Sequence, residues 1–439
     1  MNPIIKKIGK KILPAFLVNF YRAIRSKKNQ LKEKYNTKKS IKNIRLHYLK
    51  IENRLRNRGS NPVRIAFYVM YASDFGEADV FSLMLSDKDF LPQIIIVPDV
   101  ARGREHMLKT YKETKEFLIN KFGTEHIKDG YDEKSDTYFD YSNDFDIISS
   151  NCPYDGMLHP LHKISYLNTK NLLTVHTVYG YFVSKYGERE LFPQPEISGL
   201  WKIFLDTDYT FKAYKKHSIC KGKNAYKIGY SKMDNLARCM EEKKSSGNSS
   251  RKKILISPHH TIKNSSLPLS NFLSYYNLIL ELPDLFPDID FVFRPHPLLF
   301  TNLVNLGLWT NEEVDEYIKK LEEKGILYNH SGSYFDIFAE CDAIIHDCAS
   351  YVTEWLFTGK PCCFAAKDDN IFDFFSELGK ECIKFYTVAY NREHIIQFIE
   401  NVRSEKNYKD YINNPVLKQK IMLNYPNVSQ KIVDFLRLR

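Results

Sequence analysis

The chain of 439 residues has no apolar run approaching the ~20 residues that a membrane-spanning helix needs. We therefore expect no transmembrane helix. A secretory signal peptide is not expected either, because the first apolar stretch contains Pro14 and lacks a small-residue cleavage site. The eight cysteines include no C-x-x-C pair, and Cys341, Cys362 and Cys363 lie within apolar runs. This pattern favours buried, reduced thiols in a cytosolic protein over a disulfide framework.

Patterns that bind metals are also scarce. The segment Asp206-Thr207-Asp208 has the D-x-D spacing of a known metal motif, but it leads directly into a helical pattern, where Asp208 is expected to cap the helix. His159 and His162 have i, i+3 spacing, yet no third or fourth ligand accompanies them. We therefore predict neither a metal site nor a cofactor.

The positive charge is concentrated at one end of the chain. The first 60 residues contain eighteen lysines and arginines against Glu33 and Glu52, which gives this segment a net charge of +16. Because the whole chain carries +11, the remaining 379 residues sum to −5. The body of the protein is therefore mildly acidic, and it shows no motif or basic face for nucleic acid.

Within the basic segment, apolar residues recur every four positions, flanked by lysines and arginines. The stripe consists of Ile4, Ile8, Ile12, Phe16, Phe20 and Ile24. This pattern favours an amphipathic helix that lies on an anionic membrane, where each cation near the surface adds about 1 kcal/mol. Pro14 is expected to kink the helix. A helix packed on the protein's own core and an arm that binds nucleic acid remain as alternatives.

The length and the hydrophobic content of 43% are enough for two cores. After the arm, short apolar runs alternate with helical stretches, which is typical of parallel α/β units. We predict a helical arm at 1–60, a Rossmann-like domain at 61–240, a polar linker at 241–253 and a second Rossmann-like domain at 254–439, whose last helices are candidates to cross back. Such an arrangement places a cleft between the two domains.

The predicted secondary structure follows from the same alternation. Strands are predicted near 64–70, 93–97, 145–149, 171–175, 202–205, 225–229, 253–257, 289–293, 326–328, 343–346, 361–365 and 383–386, and helices notably at 105–121 and 208–217.

Polar clusters stand where three predicted strands end. They comprise His176, then Arg294 with His296, and finally Asp347 with Ser350. In open parallel sheets, ligands bind just beyond the carboxyl ends of the strands. We therefore expect His176 and His296 to face each other across the cleft.

Several short segments occur in a fixed order over roughly residues 170–370. They are Val175-His176-Thr177, Gly229-Tyr230-Ser231-Lys232-Met233-Asp234, Ile254 to His259, His296-Pro297, and Asp347-Cys348-Ala349-Ser350 followed by Glu354 and Lys360-Pro361. This series resembles the CDP-glycerol glycerophosphotransferase family, the teichoic-acid-type polyol-phosphate polymerases and primases. Compared with the family pattern, the glycine after His176 is missing and Ala349 replaces a serine. The resemblance implies two Rossmann-like domains facing a cleft, a glycosyltransferase-B-like fold.

Transfer of a polyol phosphate needs a base near the attacking hydroxyl and hydrogen-bond donors for the charge on the phosphate. Histidine suits the role of base because its ordinary pKa of ~6.5 lies near cytosolic pH. We assign His176 as this base and His296 as the group that hydrogen-bonds or protonates the phosphate oxygens.

The other candidate residues would hold the phosphates and the nucleotide of the donor. They are Gly229, His259, Arg294, Asp347, Ser350, Tyr351 and Glu354. Ser350 and the N–H groups that open a helix at 351–358 are expected to form an anion site. Structural roles remain open: a satisfied strand-end imidazole for His176, helix caps for Asp347 and Glu354, and an ion pair for Arg294.

Three functions remain open at this level. The first is a peripheral enzyme at the cytoplasmic face of a bacterial membrane that transfers glycerol phosphate, or a related polyol phosphate, from a CDP-activated donor to a lipid-linked or polymer acceptor. The second is a glycosyltransferase of the same fold that uses a nucleotide sugar in surface-polysaccharide synthesis. The third is a non-catalytic, membrane-bound scaffold of an assembly complex.

Overall fold

The computed structural model describes residues 15–245, 251–263, 268–330, 333–405 and 414–438. The strands are β1 (Val63–Val69), β2 (Phe90–Ile96), β3 (Ile127–Asp129), β4 (Tyr131–Asp132), β5 (Thr137–Tyr138), β6 (Ile147–Ser150), β7 (Leu173–Thr177), β8 (Lys202–Leu205), β9 (Ala225–Lys227), β10 (Lys252–Ser257), β11 (Ile289–Phe293), β12 (Leu327–Tyr328), β13 (Ala343–His346), β14 (Cys362–Ala365) and β15 (Thr387–Ala389).

Helices cover both sheets and fill the connections between the strands. They are α1 (Ala15–Arg56), α2 (Ala78–Leu85), α3 (Arg104–Phe122), α4 (Ile164–Leu167), α5 (Lys185–Glu190), α6 (Pro195–Gly199), α7 (Asp208–His217), α8 (Met233–Ser245), α9 (Phe272–Leu285), α10 (Leu299–Asn305), α11 (Asn311–Glu323), α12 (Tyr334–Glu340), α13 (Tyr351–Glu354), α14 (Glu377–Ile383), α15 (Arg392–Arg403) and α16 (Val428–Leu436).

The strands form two separate parallel sheets and one small hairpin. The first sheet has the order β3-β2-β1-β6-β7-β8-β9, the second has the order β12-β11-β10-β13-β14-β15, and β4 pairs with β5. In each sheet the chain runs outward on one side of a central strand and then resumes on its other side. These switch points, between β1 and β6 and between β10 and β13, are where ligands bind in open α/β sheets. The predicted fold, two Rossmann-like units, is confirmed.

The strands were recognisable because parallel strands covered on both faces are continuous apolar runs. The predicted strand at 383–386 is wrong, since α14 extends to Ile383 and β15 begins at Thr387. The short edge strand β3 was missed. The segment predicted as a polar linker at 241–253 overlaps both neighbouring elements, because α8 extends to Ser245 and β10 starts at Lys252. The last turn of α8 is polar because most of its side chains are exposed.

Helix α1 is continuous over 42 residues. Its second half buries Ile41, Tyr48, Ile51 and Leu55 against the first domain. The side chains of residues 22–36, which include Ile24, are exposed. The predicted kink at Pro14 and the stripe residues before it lie outside the described residues, as do the side chains of Phe16 and Phe20. Among the described helices, none is long and apolar enough to cross a membrane.

The end of the chain returns to the first domain. Helix α16 packs against α2, and its apolar face joins the core beneath the first sheet. The Asp234 carboxylate, in α8, accepts the N–H groups of Val428 (3.2 Å) and Ser429 (2.7 Å) at the start of this helix. A carboxylate at a helix N-terminus satisfies N–H groups that the helix itself leaves open.

The two domains are in direct contact. Helix α8 of the first domain packs against α12 of the second. Farther along, the Ser376 hydroxyl donates to the carbonyl of Phe182 and its N–H donates to the carbonyl of Val183, both at 2.7 Å. A continuous hydrophobic cluster runs through this interface. The described conformation therefore has its domains closely packed.

Candidate functional site

Three imidazoles meet at the carboxyl edge of the second sheet. His259 and His260 follow β10, and His296 follows β11, its neighbour in the sheet. The ring centroids of His260 and His296 are 4.0 Å apart, and those of His259 and His296 are 5.2 Å apart. One ring nitrogen from each residue lies within 4.8 Å of the others. All three residues are partly buried.

The Nδ1 atom of each ring lies within hydrogen-bond distance of a neighbouring protein group. His259 Nδ1 lies 2.9 Å from the Thr261 hydroxyl and accepts the Thr261 N–H at 3.3 Å. His296 Nδ1 accepts the Leu298 N–H at 3.1 Å. His260 Nδ1 lies 3.0 Å from the side-chain nitrogen of Asn302. The Nε2 atoms are therefore the ring nitrogens available to an external ligand.

Burial keeps these imidazoles neutral. It lowers the pKa of His296 to about 4, and the neighbouring His260 contributes to the shift. The pKa of His259 is lowered still further by burial and by the adjacent histidines, and burial also lowers the pKa of His260. A neutral imidazole offers one N–H donor and one lone pair, so its chemistry depends on which nitrogen carries the proton.

Asp347 fixes the loop that carries His259. Its buried carboxylate accepts the His259 N–H and, at 2.7 Å, the N–H of Asn271 just before α9. Burial raises the pKa of Asp347 to about 7, against the effect of these hydrogen bonds. In this arrangement the Asp347 carboxylate neither caps the helix that follows it nor faces a ligand, because both of its oxygens accept backbone N–H groups. Asp347 instead joins the β13 loop to the β10 loop across the switch point.

Arg294 and Tyr351 follow β11 and β13 at the same edge of the second sheet. The Arg294 guanidinium donates to the side-chain carbonyl of Asn329 and is hydrogen-bonded to the Tyr351 hydroxyl. Both Arg294 and Tyr351 are partly buried. The guanidinium is thus held at the end of β11, next to His296.

The predicted anion site at the start of α13 is only partly available. The N–H groups of Val352 and Thr353 already bond to the carbonyls of Ala349 and Ser350, each at 3.2 Å. The N–H of Glu354 also bonds to the Ser350 carbonyl. The expectation of several free N–H groups here is therefore wrong, because the first turn satisfies them. Ser350 itself is partly exposed.

Glu354 belongs to the domain interface rather than to an open ligand site. It is only 2% exposed, it is hydrogen-bonded to Tyr334, and it is attracted electrostatically by Lys232 of the first domain. The Lys232 ammonium lies 4.8 Å from the centre of the Tyr334 ring and donates to the carbonyl of Ser73 at 3.1 Å. A ribose contact by Glu354 would require the domains to separate.

His176 lies at the carboxyl end of β7 in the first sheet and is completely buried. Its Nδ1 is 2.7 Å from the carbonyl oxygen of Ser150, which can only accept, so Nδ1 carries the proton. Its Nε2 therefore bears the lone pair, and this atom is buried without a hydrogen-bond partner. Burial lowers the pKa of His176 to about 4. The ring has the tautomer and charge of a general base, but protein atoms cover it.

A buried carboxylate that the sequence patterns do not mark binds Thr177, the residue after His176. Glu77 accepts hydrogen bonds from the hydroxyls of Ser149 (2.8 Å) and Thr177 (2.8 Å), so it joins β6 and β7 at their carboxyl ends. Burial raises the pKa of Glu77 to about 7. No motif marks this residue, because its partners lie 72 and 100 residues away along the chain.

Gly229 serves packing in this structure. Its φ angle is +106°, and a Cβ atom at this position would lie 2.3 Å from the carbonyl oxygen of Leu423 and 2.8 Å from the Val428 side chain. The glycine therefore allows the returning C-terminal segment to approach the first domain. Its predicted contact with the donor has no geometric support here.

The structure thus brings His259, His296, Arg294 and Tyr351 together at one sheet edge, with Asp347 behind them. His260, which follows Pro258 and His259 at the same strand end and for that reason is also a candidate from the sequence, belongs to this group as well. Across the described residues, no hydrogen bond or ring contact joins His176 to this group.

Comparisons with known proteins support the fold. No protein-family model matches the chain, and no curated protein sequence is similar to it. Among solved structures, the wall teichoic acid polymerase TagF is similar over 96% of this chain and 97% of its own, with a TM-score of 0.53 and 14% identity. A putative UDP-N-acetylglucosamine 2-epimerase from Listeria monocytogenes is similar over 86% of this chain and 96% of its own, with a TM-score of 0.51 and 11% identity.

A complex of the S. aureus protein MnaA with UDP is similar over 86% of this chain and 98% of its own, with a TM-score of 0.50 and 12% identity. At these identities the likeness establishes the fold, a glycosyltransferase-B-type pair of Rossmann-like domains.

Proposed function

We propose that the protein transfers glycerol phosphate, or a related polyol phosphate, from a CDP-activated donor to a hydroxyl of a membrane-linked acceptor during synthesis of a cell-surface polymer. The observation that carries the proposal is the cluster of neutral imidazoles and one guanidinium at the switch point of the second sheet. The resemblance of the sequence motifs and the likeness to TagF over nearly the whole of both chains agree with it. A TagF structure soaked with CDPG belongs to the same group of similar structures.

In the proposed reaction the acceptor hydroxyl attacks the phosphorus that bears the polyol. The bond between this phosphorus and the bridging oxygen breaks, and CMP leaves with that oxygen. His176 Nε2 takes the proton of the hydroxyl, because its lone pair is fixed by the Nδ1–H bond to Ser150. His296 and Arg294 donate hydrogen bonds to the phosphate oxygens, whose charge grows in the transition state.

The remaining residues have assigned places in this scheme. His259 and Tyr351 contact the donor phosphates beside His296, and the partly exposed Ser350 offers its hydroxyl just before α13. Asp347 is a positioning residue, because its carboxylate is used by two backbone N–H groups. The proposal requires the atoms that cover His176 Nε2 to move, since this nitrogen is buried in the described conformation.

A glycosyltransferase that uses a nucleotide sugar is the second candidate. The observation that favours it is the likeness, over 86% of this chain, to a protein named for a UDP-linked sugar and to a structure containing UDP. Such an enzyme would use the same edge of the second sheet for the diphosphate and a different group at the reaction centre.

One assay separates these functions. The purified full-length chain is incubated with radiolabelled CDP-glycerol or with UDP-sugars, in membranes that supply acceptors, and the release of CMP or UDP is measured. CMP release with transfer of label to the membrane fraction supports the proposal. Release of UDP alone favours the glycosyltransferase, and absence of release from every donor favours the non-catalytic scaffold.

We also propose that the protein acts at the cytoplasmic face of the membrane as a peripheral protein. The support is the basic helix α1, whose exposed first half carries lysines together with Ile24, Leu31 and Tyr35. A helix with apolar and cationic side chains on its exposed surface can bind anionic headgroups without crossing the bilayer.

A further inference from the structure

The three imidazoles at the second sheet could in principle hold either a cation or an anion. Three histidine nitrogens within 4.8 Å of one another match the ligand number of many zinc sites. The same three rings, whose centroids lie 4.0–5.2 Å apart, would instead offer three hydrogen-bond donors to one oxyanion if their free nitrogens carry protons. The hydrogen bonds on the far side of each ring decide between these uses.

A metal needs the lone pair of a ring nitrogen, and the other nitrogen of a ligating histidine almost always donates its N–H to an acceptor. In this cluster the second nitrogen of each ring, Nδ1, accepts a hydrogen bond instead of donating one. The Nδ1 atoms of His259 and His296 accept backbone N–H groups, from Thr261 and Leu298. The Thr261 hydroxyl, 2.9 Å from His259 Nδ1, accepts the Leu269 N–H and can donate its own proton to the same lone pair. A backbone N–H can only donate, so Nδ1 holds the lone pair and, in the neutral ring, Nε2 carries the proton.

His260 follows the same rule. Its Nδ1 lies 3.0 Å from the side-chain nitrogen of Asn302, which is oriented by a second hydrogen bond of 3.1 Å to the His260 carbonyl oxygen. Because that carbonyl is an acceptor, the Asn302 nitrogen is the amide NH₂ group and donates to both. His260 therefore also presents an Nε2–H.

We propose that His259, His260 and His296 form one anion cradle that binds the diphosphate of a nucleotide donor through three Nε2–H groups, with His260 as the third donor. This rests on the proposed function for the identity of the ligand and extends it by a residue and a preference for anions over metals. The cradle is prearranged, because each ring is oriented by a bond to Nδ1 and the His259 loop is held by Asp347. Prearranged donors bind an oxyanion without the cost of ordering them.

The test uses two substitutions of His260 in the full-length chain. The amide nitrogen of glutamine can occupy the place of Nε2, whereas asparagine is too short and reaches only the place of Nδ1. Binding of inorganic pyrophosphate is measured by calorimetry. We expect His260→Asn to weaken it about tenfold or more, as expected for the loss of a hydrogen bond to a charged group, and His260→Gln to restore most of it. Thermal unfolding of each variant verifies that the fold is intact.

Zinc chloride is titrated in parallel, without pyrophosphate. We expect no zinc binding that depends on His260, so that the wild type and both variants behave alike. Stoichiometric zinc binding by the wild type that is lost in both variants would overturn the proposal. Equal pyrophosphate affinity in the wild type and His260→Asn would overturn it as well.

These outcomes are independent of the proposed reaction. Pyrophosphate binding that depends on His260, without CMP release from CDP-glycerol, supports the cradle and contradicts the polyol-phosphate transferase. CMP release together with unchanged pyrophosphate binding in His260→Asn supports the transferase and contradicts the cradle.

Discussion

The two sheets present histidine at their carboxyl ends in opposite ways. In the first sheet, His176 is 0% exposed, and its Nε2 is enclosed without a partner. In the second, His260 and His296 are partly exposed and the Nδ1 atoms are the ones engaged. The engaged Nδ1 donates in the first case and accepts in the second, so the available Nε2 is a base in one domain and a donor in the other.

This difference separates two tasks that a group transfer requires. Neutral N–H donors suit phosphate oxygens, and a neutral ring with a lone pair suits a hydroxyl proton. The donor side is accessible as it stands, whereas an acceptor can reach His176 only after the covering atoms move. The contacts of α8 with α12, and of Ser376 with Phe182, hold the domains in this closed arrangement.

The largest expected effect is on turnover when the base is removed. His176→Asn keeps a group that can donate to the Ser150 carbonyl and loses the Nε2 lone pair. We expect kcat for CMP release to fall about 10²- to 10⁴-fold, the usual contribution of a positioned acid or base, while the unfolding transition changes little.

The first domain offers a matched control. His162 is also completely buried, has one nitrogen 3.0 Å from a backbone carbonyl, that of Phe139, and has its other nitrogen unpartnered. Burial likewise lowers its pKa to about 4. His162→Gln should leave kcat within a few-fold of wild type. Equal losses in the two variants would mean that burial, not base chemistry, makes His176 necessary.

The next largest effect is on stability. It tests whether Gly229 is needed for packing against the C-terminal segment or for binding the donor. Gly229→Ala imposes a left-handed backbone on alanine and a contact of 2.3 Å with the Leu423 carbonyl. Strain and overlap together should lower the free energy of unfolding by roughly 2–6 kcal/mol. Gly156→Ala, where nothing lies within 4 Å of the added Cβ, is the control. If Gly229→Ala keeps its stability but loses affinity for CDP, Gly229 contributes to donor binding and not to packing.

The sequence predicts the strands that carry the candidate residues but not the partners of these residues. The strands that carry His176 and His296 were predicted because continuous apolar runs identify buried parallel strands, and the polar residue at the end of such a run is visible in the sequence. The partners of these residues were not visible. Glu77 meets Thr177 across 100 residues, and the orientation of Nδ1 in His296 depends on local loop geometry.

Gly229 shows the complementary limit. A glycine within a motif can permit close approach either to a ligand or to another segment of the chain, and the sequence does not distinguish these. The predicted strand at 383–386 failed for a similar reason, because a short apolar run fits either the end of a helix or a strand. The end of helix α14 occupies that position.

A smaller effect is expected in the pH dependence of stability at the first sheet. Burial raises the pKa of Glu77 from 4.5 to about 7. The folded state therefore keeps this proton between pH 4.5 and 7, whereas the unfolded state releases it, so the contribution of Glu77 to stability falls as the pH rises through this window. Glu77→Gln does not titrate. Its stability relative to wild type should rise by up to about 3 kcal/mol between pH 4.5 and 7.5.

Urea denaturation at the two pH values measures this change. The Asp132→Asn variant is the control, because hydrogen bonds lower the pKa of this half-buried carboxyl and it does not titrate in the window. A difference between wild type and Glu77→Gln that is constant with pH would show that Glu77 is ionised in the folded protein and that the first sheet carries a buried charge beside Thr177.

The smallest expected effect concerns how an acceptor comes to the first domain. Leu31 is 62% exposed on α1, and Ile24 and Tyr35 lie on the same face of this helix at i−7 and i+4. If this face lies on an anionic membrane, Leu31→Ser removes one inserted apolar side chain and should weaken co-sedimentation of the full-length chain with anionic liposomes about tenfold. Leu327→Ser, at a leucine that is 53% exposed in the second domain, should leave sedimentation unchanged. Equal sedimentation of both variants would show that this face of α1 does not bind the membrane. The lipid-linked acceptor would then have to reach His176 by another route, because the basic helix is the feature of the first domain that would bring the two together.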